Sequence, residues 1–85
     1  MSSKKEVIVS DLAGKRENAF AELVQVACRF DSRITLESNN KRINAKSIMG
    51  IMAFHPSGGM TVNIETEGKD ESEALMAMEQ FLVCQ

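Results

Sequence analysis

Two asparagines, Asn39 and Asn40, stand alone between two runs of alternating character, Arg33 to Ser38 and Lys41 to Asn44. Asparagine tolerates positive φ, and a two-residue hairpin loop needs positive φ at its central positions. The pair therefore predicts a tight hairpin, with Ile34 and Leu36 sharing a face with Ile43 of the partner strand. Such a hairpin makes two strands antiparallel neighbours, so the rest of the chain has to be built around an antiparallel sheet. With 85 residues and a net charge of −2, there is material for one small core and no second.

The remaining elements follow from changes of period. Glu6 to Ser10 alternates, with Val7 and Val9 on one side and Ile8 on the other, and predicts an opening strand that ends at Asp11-Leu12-Ala13-Gly14. From Arg16 the period becomes helical, since Phe20, Leu23, Val24 and Ala27 fall at i, i+3, i+4 and i+7, and this helix should stop near Cys28 to Phe30. Ser47 stands as an N-cap ahead of the short apolar run Ile48 to Phe54, closed by Pro56 and Gly58-Gly59. Thr61 to Thr66 alternates again, with Val62 and Ile64 opposite Asn63 and Glu65. Asp70 followed by Glu73 reads as a capping box, and Ala74, Leu75, Met78, Phe81 and Leu82 supply the stripe of a last helix.

The order β-α-β-β-α-β-α, with strands polar on one face and helices apolar on one face, predicts an α+β fold: a four-stranded antiparallel sheet with three helices on one side. The other sheet face should stay wet, with Lys5, Arg33, Thr35, Glu37, Arg42, Asn63 and Glu65 as its solvated residues. The acidic balance and scattered cations argue against direct contact with nucleic acid. No window approaches the roughly 18 apolar residues of a membrane span, and the N-terminal apolar stretch is too short for a signal peptide, so neither membrane nor secretion is expected. Cys28 and Cys84 are far apart and read as ordinary thiols. There is no metal-ligand spacing, no phosphate-binding glycine loop and no catalytic triad, so no metal, no cofactor and no enzymatic activity are expected. The acidic group Glu65, Glu67, Asp70, Glu71 and Glu73 reads as a solvated turn leading into an acidic first helical turn.

Within that order, the stretch Asn44-Ala45-Lys46-Ser47-Ile48-Met49-Gly50-Ile51-Met52 closely resembles the regulatory-serine segment of HPr-type phosphocarrier proteins of Gram-positive bacteria. The likeness extends along nearly all 85 residues, including Gly14, the Asn39-Asn40 hairpin and Glu67-Gly68-Lys69-Asp70-Glu71. It implies one HPr-like domain over residues 1–85, an open-faced β-sandwich that docks other proteins of the bacterial, cytoplasmic sugar phosphotransferase system. HPr proteins also carry Gly-x-His-x-Arg-Pro-Ala, whose histidine is the phosphoryl carrier. This chain reads Gly14-Lys15-Arg16-Glu17-Asn18-Ala19, with Arg16 at the histidine's place, Asn18 at the arginine's and Ala19 at the proline's. A guanidinium has no lone pair to offer and stays protonated, so Arg16 cannot accept a phosphoryl group. In lacking the histidine and keeping the serine, the chain resembles the Crh-like members of the family.

The resemblance makes Ser47 a phosphorylation site, with HPr kinase/phosphorylase as a partner and a transcription factor of the catabolite control protein type as a second. A homodimer is left open by the exposed apolar residues and an edge strand. Taken alone, Ser47 is also simply a helix cap. Phosphate at that cap would meet free backbone N–H groups and the positive end of the helix dipole, with Lys46 adjacent and Lys41 and Arg42 close in sequence. Ile48, Met49, Ile51 and Met52 cannot all face inward from so short a helix, so Ile48, Met49 and Met52 are candidate partner contacts, alongside Lys15, Arg16, Asn18 and Lys46. The pair Lys15-Arg16 reads either as a contact for an acidic partner or as a solvated pair offset by Glu17. His55, the one histidine, is the only imidazole that could carry phosphate in place of the missing one, and the implied fold brings its loop toward Lys15 and Arg16. Two alternatives therefore stand beside a serine-switched regulator: a phosphocarrier that uses His55, and a docking protein indifferent to phosphorylation.

Overall fold

The computed structural model describes residues 2–10 and 18–83, and its elements run β1 (Ser2–Ile8), α1 (Ala19–Cys28), β2 (Arg33–Ser38), β3 (Lys41–Asn44), α2 (Ile48–Phe54), β4 (Thr61–Glu67) and α3 (Glu71–Val83). This is the order that the periods predict. The strands form one antiparallel sheet in the order β1-β4-β2-β3. Its buried side holds Ile34, Leu36, Val62, Ile64 and Thr66, against which the helices set Ala19, Leu23 and Ala27, Ile51 and Phe54, and Ala74, Met78, Phe81 and Leu82. The three helices leave the opposite face of the sheet open.

The hairpin is as expected: Asn39 and Asn40 have φ of 53° and 66°, Ser38 pairs with Lys41, and Leu36 faces Ile43. Other boundaries move. β1 begins at Ser2, because the ladder to β4 runs from Ser2 opposite Glu67 to Ile8 opposite Thr61 and needs no apolar side chain to continue. β4 extends one residue further, to Glu67, for the same reason. The helical period detected from Arg16 is observed as α1 from Ala19, and residues 11–17 lie outside the described part of the chain. Leu23 and Ala27 of the predicted stripe are buried, joined by Ala19, while Phe20 and Val24 are half-buried.

One member of the predicted wet face is on the other side. Lys5 sits opposite Ile64 and shares parity with the buried Val7 and Val9, so it points over the helices and pairs with Glu79 of α3 at 2.6 Å. The open face carries Lys4 instead, 3.9 Å from Glu65. Two-residue parity required this exchange once Val7 and Val9 were placed inward.

The predicted capping box is also replaced. Asp70 accepts from the backbone N–H groups of Asp31 and Ser32, both at 2.9 Å, and from the Ser32 hydroxyl. Glu71 accepts from the Ser3 hydroxyl at 2.7 Å and from the Gly68 N–H at 3.2 Å. These two carboxylates tie the start of β1 and the α1–β2 connection to the start of α3. They are thus engaged rather than merely solvated. The Ser32 hydroxyl, then the Asp31 N–H, hold the Asp70 carboxyl below its ordinary value, and the Ser3 hydroxyl, then the Gly68 N–H, do the same for Glu71. Gly68, with φ of 149°, lets the chain pass against Ser32, where an added Cβ would stand 2.7 Å from Cα of Ser32.

Because both carboxyls titrate lower when folded, their contribution is complete above the ordinary carboxylate pKa of about 4 and is lost as pH falls through the lowered folded values. The melting temperature is therefore expected to drop as pH falls below about 4, and Asp70→Asn should lower it at pH 7 and flatten that drop; circular dichroism melts across pH check this. Gly68→Ala is expected to cost about 1 to 3 kcal/mol or more in urea denaturation, since both the positive φ and the contact with Ser32 oppose a side chain.

Candidate functional site

The segment that carries Ser47 is fixed by its own backbone. The Ala45 N–H donates to the carbonyl of Ile34 at 2.9 Å, with the Ala45 side chain fully buried. The side-chain oxygen of Asn44 accepts from the Lys46 N–H at 2.8 Å, and the Asn44 carbonyl accepts from the Ser47 N–H at 3.0 Å. An asparagine that bonds the amide two residues on makes the chain turn. Ser47 is then extended, with φ of −102° and ψ of 116°, and its Oγ accepts from the Gly50 N–H at 3.1 Å, as an N-cap should. No carboxylate or imidazole among the described residues bonds to Oγ.

Beyond the cap, α2 turns Ile51 and Phe54 into the core, leaving Ile48, Met49 and Met52 exposed at 41%, 80% and 61%. The short helix has too few inward positions for its apolar residues, and the surplus forms a patch directly after Ser47. The helix ends at His55, in the left-handed region with φ of 52°. The His55 ring meets Phe20 of α1 edge to face, with centroids 5.3 Å apart and planes at 83°. The loop after α2 thus does approach the beginning of α1, as the resemblance implies. Asn18 is the exposed residue ahead of α1 and makes no side-chain cap bond, while Lys15 and Arg16 lie outside the described residues.

Of the cations near Ser47 in sequence, one stands elsewhere than expected. Lys46 is half-buried and its Nζ donates to the carbonyl of Phe30 at 2.6 Å, just past the end of α1, so it is occupied within the fold. Arg42 lies on the open face of the sheet, as the alternation predicts, and pairs there with Glu65 at 2.9 Å. Glu65 binds both Arg42 of β3 and Lys4 of β1, linking the two edge strands across a shallow depression of about 240 Å³ that Thr35, Glu37 and Asn63 also line. Arg33 and Glu67 add a looser pair at 3.9 Å. Alternation in the sequence places these groups on one face but does not reveal which of them meet. The roles of Asn44 and Lys46 were missed too, although Asn two residues before an N–H to be turned is a readable signal.

Among the described residues no three His, Cys, Asp or Glu side chains are grouped to hold a metal, and no helix is long and apolar enough to cross a membrane. Cys28 is an exposed free thiol, and Cys84 lies outside the described residues.

The sequence matches the family of the PTS HPr component phosphorylation site over residues 3–83. The chain belongs to the HPr family of the phosphotransferase system. It is 42% identical over 79 residues to the HPr-like protein Crh of Halalkalibacterium halodurans, covering 93% of this chain and 94% of that one. The phosphocarrier protein HPr of Bacillus anthracis superposes with a TM-score of 0.88 at 41% identity, covering 95% of this chain and 96% of the other. Crh of Bacillus subtilis, described as a domain-swapping dimer, superposes with a TM-score of 0.72 at 36% identity, over 89% and 83% of the two chains. HPr-family proteins are phosphocarriers, and HPr and Crh members dock partners of the phosphotransferase system.

Removing the cap by Ser47→Ala is expected to cost about 1 kcal/mol, and Ser47→Asp, which supplies another capping oxygen, should retain most of that stability in urea denaturation.

Proposed function

We propose that this HPr-family chain is a regulatory docking protein of the phosphotransferase system or of carbon catabolite control, switched by phosphorylation at Ser47 and without histidine phosphocarrier activity. The observation that carries this reading is the placement of the Ser47 hydroxyl at the cap of α2, immediately before the exposed Ile48, Met49 and Met52. A partner that rests on the methionines has the acceptor at the edge of its contact. A phosphate there adds about 1.5 to 2 negative charges to that edge, where the free amides of the first turn of α2 favour them. The switch then acts through surface charge, with the sheet and core left in place.

The absence of carrier chemistry rests on the sequence: Arg16 occupies the histidine's place and has no lone pair for phosphoryl transfer. Asn18 and Ala19 replace the arginine and proline of the same motif. The partners that follow are HPr kinase/phosphorylase for Ser47 and a transcription factor of the catabolite control protein type for the docking face. In this reading the protein is not an enzyme, acts in the cytoplasm, needs no cofactor, and has Asn18 with Lys15 and Arg16 beside the contact. The Bacillus subtilis Crh dimer supports self-association as an additional state. A second reading is favoured by the packing of His55 on Phe20, which brings the one imidazole to the first turn of α1, close in the chain to the place the carrier histidine holds in the family. In that reading His55 accepts phosphate from phosphoenolpyruvate by way of enzyme I.

Intact mass after incubation with HPr kinase and ATP decides between them, run beside phosphoenolpyruvate with enzyme I. One added phosphate with ATP, absent in Ser47→Ala, is the expected result. Labelling only by phosphoenolpyruvate, lost in His55→Ala, would replace the proposal with the carrier reading. No added mass in either reaction leaves a phosphorylation-independent docking protein.

A further inference from the structure

We infer that Lys46 is a positioning residue for phosphorylation of Ser47, holding the acceptor in place from the side of α1 rather than touching a partner; this rests on the reading of Ser47 as the acceptor. Residues 44–47 are tied to the sheet by backbone bonds, Ala45 to Ile34 and Ser47 to Asn44, and by the Asn44 side chain that accepts from Lys46. All of these links lie on the side of β2 and β3 or within the loop itself. The bond from Lys46 Nζ to the Phe30 carbonyl joins the loop to the other layer. Phe30 follows α1 closely, where helix carbonyls are left without helical donors and the dipole is negative. α1 has no basic residue within its last turn, only the exposed Arg29 at its C-cap, and Lys46 adds a second cation at this end, bonded directly to a carbonyl.

The consequence is geometric. Ser47 is the next residue after the tether, and its Oγ is held from the other direction by the Gly50 N–H. The acceptor is thus fixed relative to α1 and α2 together, the two helices that meet through Phe20 and His55. A phosphoryl donor bound to an enzyme that docks on these helices finds the hydroxyl at a set distance. A displacement of about 1 Å at a reacting atom can slow a reaction by up to about 100-fold, so release of the tether should appear in the chemical step.

The test compares the full chain with Lys46→Met, which keeps the length and removes the donor, and Lys46→Arg, which keeps a donor and the charge. Phosphorylation by HPr kinase and ATP is followed at a temperature where all three are folded, together with amide hydrogen exchange at Gly50. The expected result for Lys46→Met is kcat lowered about 10-fold with KM within about 2-fold, faster exchange at Gly50, and recovery of both in Lys46→Arg. A rise in KM larger than the fall in kcat would identify Lys46 as a contact for the kinase and overturn the inference. Unchanged Gly50 exchange would also overturn it, whatever the kinetics. If the unaltered chain is not phosphorylated, the acceptor reading fails on that observation, and Gly50 exchange still decides whether Lys46 holds the loop.

Discussion

The ladder between β2 and β4 is the constraint on which the other elements depend. Residues 33–37 and 63–67 are far apart in the chain, yet their pairing puts Ile34, Leu36, Ile64 and Thr66 side by side at zero or near-zero exposure. β1 and β3 then attach as edges, one on each side. The helices cover only the face that this ladder makes apolar, and the same register sets Glu65 in the middle of the opposite face, within reach of Lys4 and Arg42 from both edges. Individually such exposed pairs contribute about 0 to 1 kcal/mol, so their effect is on which strands sit together more than on total stability.

The short helix α2 follows from the same geometry. It has seven residues, enough for Ile51 and Phe54 to reach the core, and the rest of its apolar content is turned outward. Around it, polar bonds do what a longer helix would do by packing: Asn44 turns the chain, Ser47 caps the helix, and Lys46 reaches across to Phe30. An exposed methionine surface on a well-held support suits a protein that meets more than one partner, because the side chains adapt while the backbone does not. In the family this chain belongs to, docking is the shared activity, and the proposed serine switch would work at the edge of that surface.

The carrier motif and the serine segment have separate fates in this chain. Arg16, Asn18 and Ala19 stand where the family motif has histidine, arginine and proline, while Asn44 to Met52 keeps Ser47, its cap and its apolar neighbours together. His55, just past α2, packs on Phe20 of α1, and the Ser47 segment is held from β2 and from the end of α1.

Much of this was fixed locally and is legible in the residues. Asn39-Asn40 between alternating runs specifies a hairpin because few side chains accept positive φ, Ser47 specifies a cap because its oxygen reaches the third amide of its own helix, and too many apolar residues on a seven-residue helix force some outward. The family likeness is carried by such local stretches as well. What only the tertiary structure decided concerns groups whose partners are distant in the chain. Asp70 looks like a helix cap in sequence but binds residues 31 and 32; Lys5 looks solvated but crosses to Glu79; Lys46 looks like a free cation beside Ser47 but ends on Phe30. A charged side chain is long and can satisfy itself in several directions, so its local pattern leaves the choice open. The choice is made when sheet register and helix packing bring one particular acceptor within hydrogen-bond distance.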